Sequence, residues 1–334
     1  MREAADFRRY ALAMGRILKA KYEKHFHSPQ AVIDAAVQRA TGSSVARREQ
    51  ITTGETNEVY AVDLANGQKV IVRISRSERS RFRAERWAIE QCARVGIPVP
   101  CVIAVETIEH AGRPLNLSIE TLLQGTPLDE LAKDNLSPET VAALLHRTGA
   151  VLARIHSIRT NGFGELDENG SGNYNSIGDM LSQEELSKEH FLNVARAVHI
   201  DSGIIERALN ALYEYSVRYP AISPRLIHND FAPCHVLICD GQVSGIVDFE
   251  IAQGGDPARE FARWQFFFGD RFALRHLIEG YGNSAGDSKE FQDKLHIWTL
   301  YIGLINMDWY SNKRNKQKVD LCRVRLTEEV SYFS

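Results

Sequence analysis

Hydrophobic and polar positions change their spacing twice along this chain, and each change marks a different kind of structure. Residues 1–40 repeat with a helical period and carry a basic face, which predicts one or two helices outside the main fold. From residue 48 to 75 apolar and polar positions alternate, and Asn66-Gly67 punctuates the run as a hairpin turn, predicting a pair of strands. Residues 78–95 return to the helical period and stop at Gly96 with Pro98 beyond, a C-terminal helix signature. Two further strands are predicted in "CVIAVETIEH" and "PLNLSIETLL", separated by Gly112.

After "QGTP" at 124–127 the pattern becomes helical. Ser137-Pro138-Glu139 supplies an N-cap and a proline in the first turn of a helix running to about Ile158. The Gly- and Asn-rich stretch "NGFGELDENGSGNYNSIGDM" reads as loop, and residues 180–219 and 257–333 as helices. Between them one strand pair is expected over 235–248, turning at Asp240-Gly241. The domain boundaries that follow are a helical extension at 1–47, a small β-rich lobe at 48–123 and a larger α-rich lobe at 124–334. The fold class is α+β, as two lobes sharing a cleft.

Composition sharpens this only at its edges. The 334 residues have a hydrophobic content of 44%, enough for a sizeable core, and no stretch approaches the twenty apolar residues of a membrane span. Five irregularly spaced cysteines read as reduced thiols, and with no signal-like apolar segment at the N-terminus they place the protein in the cytoplasm. The net charge of −3 is uneven: residues 1–50 carry +5 and residues 128–334 carry −8. No basic patch interleaved with aromatics is present, so nucleic acid is not an expected partner.

The chemistry concentrates in "LIHNDFAPCHVL", residues 226–237, and the strand after it. With a two-residue turn at Asp240-Gly241, His235 falls opposite Ile246, and Asp248, two residues on, shares its face. The two side chains can then reach one metal ion. An aspartate near the end of an apolar strand is costly to bury unless paired or ligating. Asp230, in a loop beside this pair, suits a group that accepts a hydroxyl proton or orients that hydroxyl for in-line attack. Zinc is disfavoured because no C-x-x-C pair accompanies Cys234 and Cys239. A Walker motif is absent, as is the H-R-D, D-F-G, A-P-E series of eukaryotic protein kinases.

"HNDFAPCH" followed by "IVDFEIAQGGDP" resembles the H-x-D-x-x-x-x-N and I-D-[WF]-E…G-D-P motifs of the aminoglycoside phosphotransferases and their choline-kinase and macrolide-kinase relatives. The likeness implies a protein-kinase-like bilobal fold. It implies Asp230 as catalytic base or hydroxyl orienter, and His235 and Asp248 as holders of Mg²⁺. Upstream, "TTGETNEVYAV" with Gly54 resembles the nucleotide-covering hairpin, and "VIVRIS" the strand bearing a phosphate-contacting base, here Arg73. Glu85 occupies the position that pairs with that base, and "SIETLLQG" resembles a hinge at which Ile119 and Thr121 offer backbone groups to a purine.

His235 departs from the family's asparagine, as macrolide-phosphorylating relatives do. A ring nitrogen suits Mn²⁺ better than Mg²⁺, so Mn²⁺ is expected to substitute or be preferred, and activity to fall below about pH 6. The implied reaction moves the γ-phosphate of ATP or GTP to a hydroxyl of a small molecule. The loop at 161–181 and "YIGLINMDWY" resemble hygromycin B kinase-like members. With the acidic residues Glu250, Glu260 and Asp308, they point to a cationic aminoglycoside. The alternatives are a macrolide kinase, a housekeeping kinase of choline, an amino alcohol or a sugar, and a non-catalytic pseudokinase.

Overall fold

A computed structural model describes residues 28–51, 57–133, 136–183, 187–282 and 288–333. Of the helical stretch expected over 1–40, residues 1–27 lie outside these, as does Gly54, while the described remainder forms a helix that packs into the core instead of outside the main fold. The chain divides into two compact units, one of Met1–Glu90 with Pro100–Leu123, the other of Gln91–Val99 with Gln124–Ser334.

The first unit is built on α1 (Gln30–Thr41), β1 (Val45–Ile51), β2 (Glu58–Leu64), β3 (Lys69–Ser75), α2 (Phe82–Arg94), β4 (Val102–His110) and β5 (Arg113–Thr121). The five strands form one antiparallel sheet in the order β1-β2-β3-β5-β4, one strand more than the alternating pattern distinguished. The additional strand, β1, has no fully buried residue and so lacks a continuous apolar face. Gly67, at φ +85°, closes the β2–β3 turn with an N–H to the carbonyl of Leu64. Val62, Val72, Ile74, Leu117 and Ile119 on the inner face are buried against Ile33, Ala36 and Val37 of α1.

In the second unit β6 (Thr126–Pro127), α3 (Leu128–Leu131) and α4 (Pro138–Ile155) lead in, with Ser137 Oγ capping α4 on the N–H of Thr140. The stretch read as loop is in part a hairpin, β7 (Phe163–Leu166) and β8 (Gly172–Tyr174). Its glycines hid it, yet several sit where only glycine fits: Gly162 and Gly164 have positive φ, and a Cβ on Gly172 would meet backbone. Then follow α5 (Ile177–Gln183), α6 (Lys188–Ala197), α7 (Ser202–Arg218), β9 (Arg225–Ile227), β10 (Val236–Cys239), β11 (Gln242–Ile246) and β12 (Gln253–Gly255). Last come α8 (Pro257–Phe268), α9 (Leu274–Tyr281), α10 (Lys289–Asn312) and α11 (Lys316–Val330).

Short strands join two small sheets, β11-β10-β6 and β8-β7-β12-β9. The strands β6, β9 and β12, two or three residues each, are too brief to leave a periodic signal. Trp264 and Trp298 are fully buried among the helices, so Trp264 is core, while Phe268, four residues on, is only partly covered. Among the described residues no helix is long and apolar enough to cross a membrane.

Candidate active site

Three pieces of chain meet where the sequence concentrated its chemistry. From β9 the backbone passes through His228, Asn229 and Asp230, runs through a single 3₁₀ turn at Pro233–His235, and enters β10. His228 is fully buried between Phe231 and Phe249, with Nε2 3.0 Å from the carbonyl of Val247. Burial holds its pKa below the usual imidazole value, so it is a neutral ring bracing the turn. Asn229 adopts the left-handed conformation at φ +64°, and its Nδ2 donates to the carbonyl of Ile251 at 3.1 Å.

The β10–β11 register differs from the sequence expectation. Cys239 pairs with Gln242 and Ile238 with Val243, as a two-residue turn requires, but Leu237 pairs with Gly245 and Val236 with Ile246. Ser244 is the extra residue of a bulge, its hydroxyl drawn aside to the carbonyl of Gln124 at 2.7 Å. His235 therefore accepts the N–H of Val247 on its carbonyl at 3.1 Å, not that of Ile246, and lies in the 3₁₀ turn instead of the strand. Asp248, past the strand end at φ +68°, turns back toward it. The shared-face argument fails in its register while the two side chains still converge.

Asp230, His235 and Asp248 each offer one ligand atom, all within 4.8 Å of one another. His235 Nε2 lies 3.5 Å from Asp248 Oδ2, and Nδ1 lies 2.8 Å from the backbone carbonyl of Asp230 and 3.8 Å from its Oδ2. A proton on Nδ1 directed at that carbonyl leaves Nε2 as the ligating nitrogen, the usual support of a metal-bound histidine. Burial opposes charge on this ring. The neighbouring Cys234 and the carboxylates of Asp248 and Asp230 outweigh it and carry the pKa up to about 10. The two carboxylates thus favour a cation between them, and a divalent ion fits there by taking the place of a ring proton.

In the other unit Arg73 of β3 and Glu85 of α2 form a buried ion pair at 2.5 Å. Glu120 Oε1 stands 3.6 Å from the same guanidinium and accepts the hydroxyl of Ser118, and Phe82 lies beneath it at 5.3 Å. Ile119 and Thr121 lie within the sheet, where part of their backbone is already engaged. Ile119 is fully buried in β5, between Val72 and Ala104, and the N–H of Thr121 donates to the carbonyl of Cys101 at 3.0 Å.

The acidic residues expected around an acceptor are not gathered. Glu260 is 1% exposed, and its carboxylate accepts the backbone N–H groups of His228 at 2.6 Å and Asn229 at 2.8 Å. Burial alone would raise its pKa, but His156 and those donors hold it below the usual carboxylate value. Glu260 is therefore a brace of the loop at His228 and Asn229, buried away from any acceptor. Asp308 pairs with His190 at 3.3 Å along a cavity of about 1040 Å³ between α5, α6, α7 and α10. Tyr310, two residues on and so on the opposite side of α10, is the one that meets Phe267 of α8. Glu250 is half-buried in the turn after Asp248.

One residue at the site was missed in the sequence. Arg263 of α8 donates to Asp230 Oδ1, and its guanidinium lies 5.0 Å from the ring of Phe267. The available signal was its spacing of three from Glu260 on one helix face, which reads as an ordinary surface charge pair.

The profile of a family described as "phosphotransferase enzyme family" matches residues 47–292. The chain belongs to this phosphotransferase family. Among curated proteins, the phosphotransferase is 24% identical over 262 residues to hygromycin-B 4-O-kinase of Escherichia coli, covering 78% of this chain and 74% of that one. It is 40% identical over 62 residues to an uncharacterized protein, YcbJ, of Bacillus subtilis, a match covering 18% of this chain and 20% of the other. Its fold is that of aminoglycoside phosphotransferase APH(4)-Ia, solved as a ternary complex with AMP-PNP and hygromycin B. There the TM-score is 0.72 at 21% identity, over 90% of this chain and 98% of the other. A putative fructosamine-3-kinase of Thermobifida fusca shares the fold at a TM-score of 0.62 and 19% identity, over 88% and 98% of the chains. The bilobal α+β, kinase-like architecture expected from the motifs is thereby confirmed.

Proposed function

We propose that this phosphotransferase moves the γ-phosphoryl group of ATP or GTP to a hydroxyl of a small molecule, with an aminoglycoside of the hygromycin type as the acceptor class. The observation that carries the reading is the convergence of Asp230, His235 and Asp248, whose ligand atoms lie within 4.8 Å of one another. His235 and Asp248 would hold a divalent ion, Mg²⁺ or Mn²⁺, which when bound neutralises phosphate charge. Asp230 aligns the acceptor hydroxyl. As the new P–O bond forms and the bond to the nucleoside diphosphate breaks, the hydroxyl proton leaves through Asp230 to solvent. Arg73, held by Glu85, is the cation for the nucleotide phosphates. The acceptor class follows from the likeness to hygromycin-B 4-O-kinase, now that Glu260 and Asp308 are assigned elsewhere.

The test is release of ADP or GDP in the presence of hygromycin B, other aminoglycosides, a macrolide and choline, each with Mg²⁺ or Mn²⁺. Turnover by wild type that falls by about 10²–10⁴-fold in Asp230→Asn supports the reading. Nucleotide binding without turnover on any acceptor identifies a pseudokinase instead, and turnover on choline or a macrolide alone moves the acceptor class.

A further inference from the structure

We infer that Arg263 is a positioning residue for Asp230, holding its carboxylate, and through it the acceptor hydroxyl, in line for transfer. The inference rests on the role of Asp230 given above.

The loop backbone and the carboxylate are fixed by different means. Glu260 secures the N–H groups of His228 and Asn229, so the main chain up to Asp230 is held. The Asp230 side chain, 29% exposed, is not packed into place. Its Oδ1 accepts from Arg263, and its Oδ2 is 3.8 Å from His235 Nδ1, beyond hydrogen-bond reach. Arg263 and Glu260 are one turn apart on α8, so a single helix face sets both the backbone and the carboxylate.

That helix is anchored at its start. Asp256 caps it on the N–H of Ala258 at 2.8 Å, and also accepts the hydroxyl of Tyr219 at 2.7 Å and faces Lys294 at 3.3 Å. The guanidinium also lies over the ring of Phe267, which meets Tyr310 at 6.4 Å and the Lys318 ammonium at 5.4 Å.

Charge supplies the second half of the argument. Asp230 and Asp248 share one cluster, and two carboxylates so close repel each other. Arg263 gives Asp230 a fixed, positively charged partner beside that repulsion. A carboxylate held by a guanidinium is a fixed acceptor. That suits a group that orients a hydroxyl while the proton leaves late.

The experiment is a double-mutant cycle on the full chain: wild type, Arg263→Ala, Arg263→Lys, Asp230→Asn, and the double variant Arg263→Ala with Asp230→Asn. ADP release from ATP with Mn²⁺ and hygromycin B is followed, and each protein is first shown to melt cooperatively near wild type. Misplacing a reacting group by an ångström costs about 10²-fold, so Arg263→Ala should lose about that much in kcat. Its KM for ATP should stay within about twofold, since a purely structural defect would move both. Millimolar guanidine should restore part of the Arg263→Ala rate and none of the Asp230→Asn rate.

The double variant should be no slower than Asp230→Asn, because Arg263 acts through Asp230. Where Arg263→Ala melts early, Arg263→Lys carries the test, with an expected kcat loss of about tenfold at unchanged KM because lysine keeps the charge without the fork. Wild-type kcat in the alanine or lysine variant, or losses that multiply in the double variant, overturns the inference. A wild type that releases no more ADP than Asp230→Asn removes the function reading, and this inference with it.

Discussion

Replacing Glu260 with alanine separates two roles that a carboxylate beside a catalytic loop can have. A substrate contact would be exposed, and its loss would raise the acceptor KM while leaving the fold untouched. The buried carboxylate seen here accepts two backbone N–H groups, from His228 and Asn229, and faces His156 Nε2 at 3.6 Å. Truncation leaves both donors buried without partners, at about 1–3 kcal/mol each, so the variant should lose about 2–6 kcal/mol. Glu260→Gln keeps one acceptor and sets an amide nitrogen against the second donor, so about half that loss is expected. Urea unfolding followed by tryptophan fluorescence measures both variants, and a shift of the midpoint at constant slope gives the difference. The order wild type, glutamine, alanine should hold, with kcat falling in parallel as Asp230 loses its fixed backbone. An alanine variant that unfolds with wild type and shows only a raised acceptor KM would refute the bracing role.

The same geometry makes further predictions. His235→Asn should move metal preference from Mn²⁺ toward Mg²⁺, read as the ratio of kcat values with the two ions. In wild type burial opposes charge on His235, but Cys234, Asp248 and Asp230 push its pKa up to about 10, so an ion must displace a proton and the acid limb expected near pH 6 moves upward. Apparent Mn²⁺ affinity should therefore rise by about tenfold per pH unit between pH 6 and 8, with about one proton released in calorimetry. Arg73→Ala leaves Glu85 and Glu120 facing each other without their shared cation, and should cost about 3–5 kcal/mol besides weakening nucleotide binding; urea unfolding and fluorescent-nucleotide titration check the two effects.

How much of this was legible in the sequence depends on how local each cause is. The hairpin at Asn66-Gly67, the cap at Ser137 and the break at Gly96 were readable because turn and cap chemistry act within four residues. The cluster of Asp230, His235 and Asp248 was readable because all three lie within nineteen positions on a loop and hairpin. Its register was not, since the bulge at Ser244 is set by a hydroxyl reaching Gln124, far away in the chain. The hairpin at 163–174 hid behind glycines whose purpose is close backbone approach, which composition reports as loop.

By itself the sequence determined where most of the longer elements fall and which loop and hairpin bring Asp230, His235 and Asp248 together, because periodicity, capping and motif spacing are properties of neighbouring residues. Tertiary structure alone decided what each charge does. Glu260 is a brace because β9 delivers two orphan N–H groups to it, and Arg263 reaches Asp230 because α8 lies against the loop. Asp308 belongs with His190 on the far side of α10. A carboxylate's role follows from its burial and its partners, and both come from residues distant in the chain.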